Sequence, residues 1–226
     1  MKKEEILSIL KTDAEPSYAK FSSALALSKY PMLGVRLPKL REIAKDMAKN
    51  PKEFLSFTDF TYFEEVMLFG LTIVYMKENL DTKLFYLDKY LGLADNWSHI
   101  DSVVMTLKVK KADLPELHEK AEEYLSSGKE FSVRTGVLFL MKHFLTDDYI
   151  DETLSRLDEI SCEKYYASMA VAWTLCEAVI KQPEKAIPFL ERTALDRETV
   201  NRAIAKCRDS FRISDENKAH LKTLKR

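Results

Sequence analysis

Helix-start signals recur along this 226-residue chain at a nearly fixed spacing. Thr61, Asn96, Glu130, Glu163 and Glu198 each open a stretch of helical period, at intervals of 35, 34, 33 and 35 residues. A repeat of that length holds one helix pair, and a lone pair cannot bury its own apolar face. The pairs must stack on their neighbours, which predicts an all-α, helical-repeat α-solenoid (α-α superhelix) built as a single domain over residues 1–226. The small-and-aromatic pattern of tetratricopeptide repeats is absent, so the expected class is HEAT-like. One helix of each pair then lines a concave groove.

The apolar positions carry the same reading. Ile43 and Met47, and then Val66, Phe69, Ile73 and Met76, recur every three or four residues, as one face of a helix does. Pro38 suits a first helical position. Thr61 followed by Glu64 reads as a capping box. Asp95 or Asn96 can cap a helix from Trp97 to Leu107, and Ser214 can cap the last one. No alternating strand pattern stands against this, and only 5 Gly and 7 Pro are present, fewer than a turn-rich β fold would need. Twelve to fourteen helices of ordinary length fill the chain.

The composition excludes several classes of function. The longest apolar run, Val66–Met76, spans 11 residues and is too short for a bilayer. The amino terminus, Met1-Lys2-Lys3-Glu4-Glu5, lacks a signal-peptide core, so a cytoplasmic protein with no membrane partner is expected. Cys162, Cys176 and Cys207 form no CxxC, and His99, His118, His143 and His220 are scattered; neither a disulfide scaffold nor a metal site is expected. Nothing suggests a cofactor, and a monomer is the default. Net charge is −1, yet from Asn201 onward eight Lys/Arg face three acids, a +5 tail on a body of −6. Such a basic end is either a footprint for a polyanion or a solvated last helix.

A repeat also places distant residues side by side. Asp101 and Arg134, 33 apart, fall on successive parallel helices, and Trp97 lies one turn before Asp101 on the same face. Trp173 lies one helix further, 39 residues after Arg134. The only two tryptophans, a carboxylate and an arginine are therefore expected to meet along the groove. Taken singly, each has an ordinary role: a core tryptophan, a capping aspartate, an arginine paired to a neighbouring acid.

The stretches Leu33–Arg41, Phe63–Val66, Asn96–Asp101, Val133–Thr135 and Tyr165–Trp173, together with Ala203–Ser210 and Phe211-Arg212, resemble in order and spacing the DNA alkylation repair family, the AlkD-like HEAT-repeat proteins. The resemblance runs from about Phe21 to the C-terminus. It implies a glycosylase that removes N3- and N7-alkylated purines from duplex DNA without swinging the lesion into a deep pocket. By motif match Trp97, Trp173 and Asp101 contact the lesion nucleotide as the catalytic set, and Arg134 holds a nearby phosphate. Arg36, Arg41, Lys206, Arg208 and Arg212 are candidates for further DNA-backbone contacts, which position without reading sequence.

The chemistry suits these residue types. An N3- or N7-alkylpurine is cationic and already a good leaving group, so one carboxylate suffices where glycoside hydrolases use two. A fixed carboxylate stabilises the positive sugar and orients water. Indole faces favour a cationic base, by about 0.5–2 kcal/mol per contact. The sequence departs from the family pattern in three places: Ser98 stands where an aspartate follows the tryptophan, Val133 stands where a second arginine precedes Arg134, and the region around Leu25 is aliphatic where a tyrosine is expected, with Tyr18 and Tyr30 nearby. Two alternatives share the same residues: a non-catalytic module that binds damaged or distorted DNA, and a protein scaffold in which the tryptophans are core.

Overall fold

The computed structural model describes residues 2–161 and 163–226; Cys162 lies outside them. Among the described residues there are thirteen α-helices and no strand, as the period requires. The repeat helices start at Phe63, Trp97, Glu130, Tyr165 and Arg197, each within two residues of its expected position. The chain divides into two compact units, residues 1–113 and 114–226. Among the described residues no helix is long and apolar enough to cross a membrane.

The first unit holds α1 (Lys3–Thr12), α2 (Pro16–Leu25), α3 (Leu37–Met47), α4 (Phe63–Tyr75), α5 (Leu80–Leu91) and α6 (Trp97–Val104). Helix α4 is apolar on every side, so it is the buried one: twelve of its thirteen residues are inaccessible. Helices α3, α5 and α6 pack around it. Gly70 permits that closeness, since a Cβ there would stand 2.4 Å from Val103 Cγ2 and 2.6 Å from the Tyr90 ring. Helix α2 differs from all of these, for it has no buried residue.

The second unit holds α7 (Leu114–Ser126), α8 (Glu130–His143), α9 (Ile150–Asp158), α10 (Tyr165–Lys181), α11 (Pro183–Arg192), α12 (Arg197–Asp209) and α13 (Asp215–Thr223). Helices α8, α10 and α12 form a row of neighbours, each one repeat from the next. Helix α10 sits in the middle, and its buried alanines, Ala167, Ala170, Ala172 and Ala178, let helices approach it closely. The repeat also appears in the polar contacts. Arg156 Nε donates to Glu122 Oε2 (2.6 Å) across 34 residues, Lys185 Nζ to Asp151 Oδ2 (2.8 Å) across 34, and Arg212 Nη1 to Glu177 Oε2 (3.0 Å) across 35.

The caps follow local chemistry in two of three cases. Asn96 Oδ1 accepts from Ser98 N and His99 N, and Ser214 Oγ accepts from Asn217 N, as read from sequence. The capping box before α4 is shifted by one. Tyr62, not Thr61, is the N-cap residue, and Glu65, not Glu64, turns back: its Oε2 accepts from Thr61 N and Tyr62 N, both at 2.8 Å. Glu64 is drawn away because another segment needs its carboxylate more, as described below. Pro38 stands second in α3, where its missing N–H costs no helical bond.

Candidate nucleic-acid interface

Helix α6 begins in a hydrogen-bonded corner. The Asp95 carboxylate accepts from Ser28 Oγ (2.9 Å) and Lys29 N (2.6 Å) and lies 3.3 Å from His99 Nδ1. Burial alone would raise the Asp95 pKa, but these hydrogen bonds outweigh it and hold the carboxyl below its usual range. His99, fully buried, stacks on Phe63 with ring centroids 4.1 Å apart and donates through Nε2 to the Phe63 carbonyl (3.1 Å). The start of α6 is thereby pinned to the start of α4.

That anchoring fixes Trp97, the first residue of α6. A tryptophan in an apolar helix is ordinarily core, yet Trp97 is 36% exposed, and its Nε1 donates to the Leu25 carbonyl at 3.4 Å. Asp101, one turn on, is half-buried. The Tyr90 phenol, buried beneath, has its pKa pushed well up, first by burial and then by the Asp95 and Asp101 charges.

Beside Trp97 lies a cavity of about 240 Å³, walled by Tyr18 and Ser22 of α2, Leu37 and Leu40 of α3, Phe63, Glu64 and Met67 of α4, and Trp97, Ser98 and Ser102 of α6. Asp101 is not on its wall. Glu64, 2% exposed, shapes the rim from within: its carboxylate accepts from the backbone N–H groups of Leu33 (3.0 Å), Gly34 (2.7 Å) and Val35 (3.3 Å). Three donors on one buried carboxylate explain why Glu64 left the capping box to Glu65. The loop so held needs a glycine. Gly34 has φ +89°, and a Cβ there would lie 2.3 Å from the Glu15 carbonyl oxygen at the head of α2.

The cations expected to meet phosphate stand in different situations. Arg36 is exposed but already bound to Glu15, with Nε–Oε1 at 2.8 Å and Nη2–Oε2 at 2.9 Å, and it lies 4.6 Å from the Tyr18 ring centroid. Arg41 is half-buried and makes one weak contact, Nη2 to Thr106 Oγ1 at 3.5 Å; its Nε is buried with no partner. In the second unit Arg134 is 5% exposed, and its Nη1 donates to the Tyr166 carbonyl (2.8 Å) while Glu130 accepts from Tyr166 N (2.7 Å). Glu130 and Arg134, one turn apart on α8, thus hold the N–H and the C=O of one residue at the start of α10. Trp173 is half-buried along α10. Arg212 is bound through both amino groups to Glu177. Lys206 and Arg208 make no ion pair among the described residues, and Arg208 is exposed.

The sequence profile of the DNA alkylation repair enzyme family matches residues 6–207. The chain belongs to that family. No curated protein matches it. The family match covers both units and spans Trp97, Asp101, Arg134 and Trp173 alike.

In this member of the DNA alkylation repair enzyme family, sequence reasoning noted Tyr18 only as lying near the family's tyrosine position, and it missed the cavity and two residues that shape it, Ser22 and Ser102. No residue type at those positions announces a binding surface. Glu64 was legible as a helix-start acid but not as a loop anchor. Its partners lie 29 to 31 residues away, a separation that no local pattern carries.

Proposed function

We propose that the chain hydrolyses the N-glycosidic bond of cationic N3- or N7-alkylpurines in duplex DNA. The observation that supports this best is the pair on α6: an exposed tryptophan, fixed through its own N–H, with a half-buried carboxylate one helical turn on. The Trp97 indole offers a π-face to the cationic base. The C1′–N bond breaks with its electron pair leaving on the base, which is thereby neutralised. Asp101 stabilises the positive sugar and orients water to C1′; the water's proton leaves to the carboxylate or to solvent. Trp173 and Arg134 are assigned to the same duplex, the first against the lesion nucleotide and the second on a phosphate. Arg36, Arg41, Lys206, Arg208 and Arg212 are the further backbone contacts, with Arg41, Lys206 and Arg208 the ones that carry no ion pair among the described residues.

Release of 7-methylguanine and 3-methyladenine from methylated duplex tests this. Wild type releases both; Asp101→Asn slows release by about 100-fold or more while duplex affinity is kept. Equal rates in the two proteins would remove Asp101 from the role. Retained binding with no release by wild type would support the second reading, a non-catalytic module for damaged or distorted DNA. That reading is favoured by Arg134, whose guanidinium is nearly enclosed and bound to a backbone carbonyl.

A further inference from the structure

Cys176 and Cys207 have no part in the DNA reading, and both are buried in the second unit as free thiols. Cys176 lies on α10 and Cys207 on α12, 31 residues later. Ser168 and Thr199 stand on the same two helices with the same separation of 31, and their γ-oxygens share a hydrogen bond at 2.7 Å. About two helical turns separate Ser168 from Cys176, and the same two turns separate Thr199 from Cys207. The register that joins the γ-oxygens therefore joins the γ-sulfurs further along, and the Cys207 thiol donates a hydrogen bond to the Cys176 sulfur. Ala172 and Ala203, midway between the two pairs, are buried too. Such small side chains let the two helices approach closely. They also show that packing in this seam does not call for sulfur.

The two thiols are unequal. The hydrogen bond from Cys207 holds the Cys176 pKa below its ordinary value against burial and the Glu177 charge, and the Arg212 and Lys206 charges assist. The same bond, and then burial, push the Cys207 thiol well up. The thiolate is the nucleophilic form of cysteine, so Cys176 reacts first. Cys176 also keeps 5% exposure, whereas Cys207 has none.

We propose that Cys176 and Cys207 form an oxidative modification site, at which a hydroperoxide closes a reversible disulfide between α10 and α12. The Cys176 thiolate attacks one peroxide oxygen: an S–O bond forms, the O–O bond breaks, and the departing hydroxide takes a proton to become water. The product is a sulfenic acid. The Cys207 sulfur then attacks the Cys176 sulfur: the S–S bond forms, the S–O bond breaks, and the Cys207 proton leaves with the hydroxyl as a second water. Two thiols are oxidised to one disulfide, and one hydrogen peroxide is reduced to two waters. This is a reversible pair on one seam, not a disulfide scaffold, and it stands independently of the DNA reading.

Mass spectrometry on the full-length protein tests the proposal. Folded protein is treated with hydrogen peroxide, its remaining thiols are alkylated, and the cross-linked peptides are mapped. The expected product joins Cys176 to Cys207, leaves Cys162 alkylatable, and returns to three free thiols with dithiothreitol. The same treatment in urea is expected to favour Cys162 with Cys176, because the shorter loop closes more readily in an unfolded chain. Cys176→Ser lowers the rate of thiol loss at Cys207 by about tenfold or more. Cys207→Ala, a change for which Ala203 is the precedent in the same seam, leaves Cys176 halted at the sulfenic acid, which dimedone labels. Folded wild type that keeps both thiols alkylatable, or that pairs either one with Cys162, overturns the proposal. That result is read on wild type alone, so it decides the matter even where a variant fails to fold.

Discussion

Two arginines that look alike in the sequence have opposite fates in the fold. Arg41, in the acidic part of the chain, ends half-buried with an orphaned Nε and one weak hydrogen bond. Arg212, in the basic tail, ends exposed but held by both amino groups to Glu177. That pairing raises its already high pKa, chiefly through the hydrogen bonds. Other tail arginines are also held internally. Arg202 binds Glu198, and the Arg226 guanidinium donates to the carbonyls of Leu195 and Thr193. A count of basic residues points to the tail, whereas the arginine whose buried Nε lacks an acceptor lies in the first unit.

The contrast between the units can be broken most forcefully at their buried charges. Glu64→Ala leaves three backbone N–H groups without an acceptor at the rim of the first unit's cavity. It is expected to destabilise the protein by about 3 kcal/mol, a fall in Tm of about 6–12 °C by calorimetry. A loss under about 1 kcal/mol would show that water takes over these donors and that the rim is not built by Glu64.

The second unit has its own titrating group. Burial first, then the charges of Lys142 and Lys181, hold the half-buried His143 ring to a pKa of about 4. Unfolding restores the ordinary histidine value, so between about pH 6.5 and 4 the unfolded chain binds the extra proton. Stability from this group is present above that window and is lost as pH falls through it. With partial exposure discounted, the loss is about 1–2 kcal/mol. His143→Gln should flatten the stability profile between those limits in denaturant titrations. An unchanged slope would assign acid sensitivity elsewhere.

The smallest effect separates the two arginines directly. Arg41→Gln is expected to reduce the salt slope of duplex binding by about one, and Arg212→Gln by much less, because the Arg212 charge already faces a carboxylate. The exposed Arg212–Glu177 pair contributes under about 1 kcal/mol to stability. Equal slopes in the two variants would mean that the pairing with Glu177 opens on DNA.

Much of the architecture was legible because it is written locally. The Asn96 and Ser214 caps act on amides two or three residues away, and helical periodicity needs only its own segment. The shifted box at Thr61–Glu65 was not legible. Two adjacent glutamates fit the motif equally, and a loop thirty residues upstream chose between them. The ion pairs of the second unit could have been found by a rule the sequence analysis applied only to the site: residues one repeat apart are neighbours. Glu122 with Arg156, Asp151 with Lys185, and Glu177 with Arg212 all obey it. The unpaired state of Arg41 has no such signal, since an absence of partners emerges only when every neighbour is placed.

The detached character of α2 has a consequence for how such a protein changes over generations. Most substitutions destabilise, and a marginally stable fold tolerates few of them before it fails. Helix α2 buries no residue, yet Tyr18 and Ser22 face the cavity and Phe21 and Leu25 face solvent. Mutations there alter what the cavity can touch at almost no expense in folding. A population can therefore explore new cavity shapes on this one helix without first accumulating stabilising changes in α4 or α10, where most positions are buried.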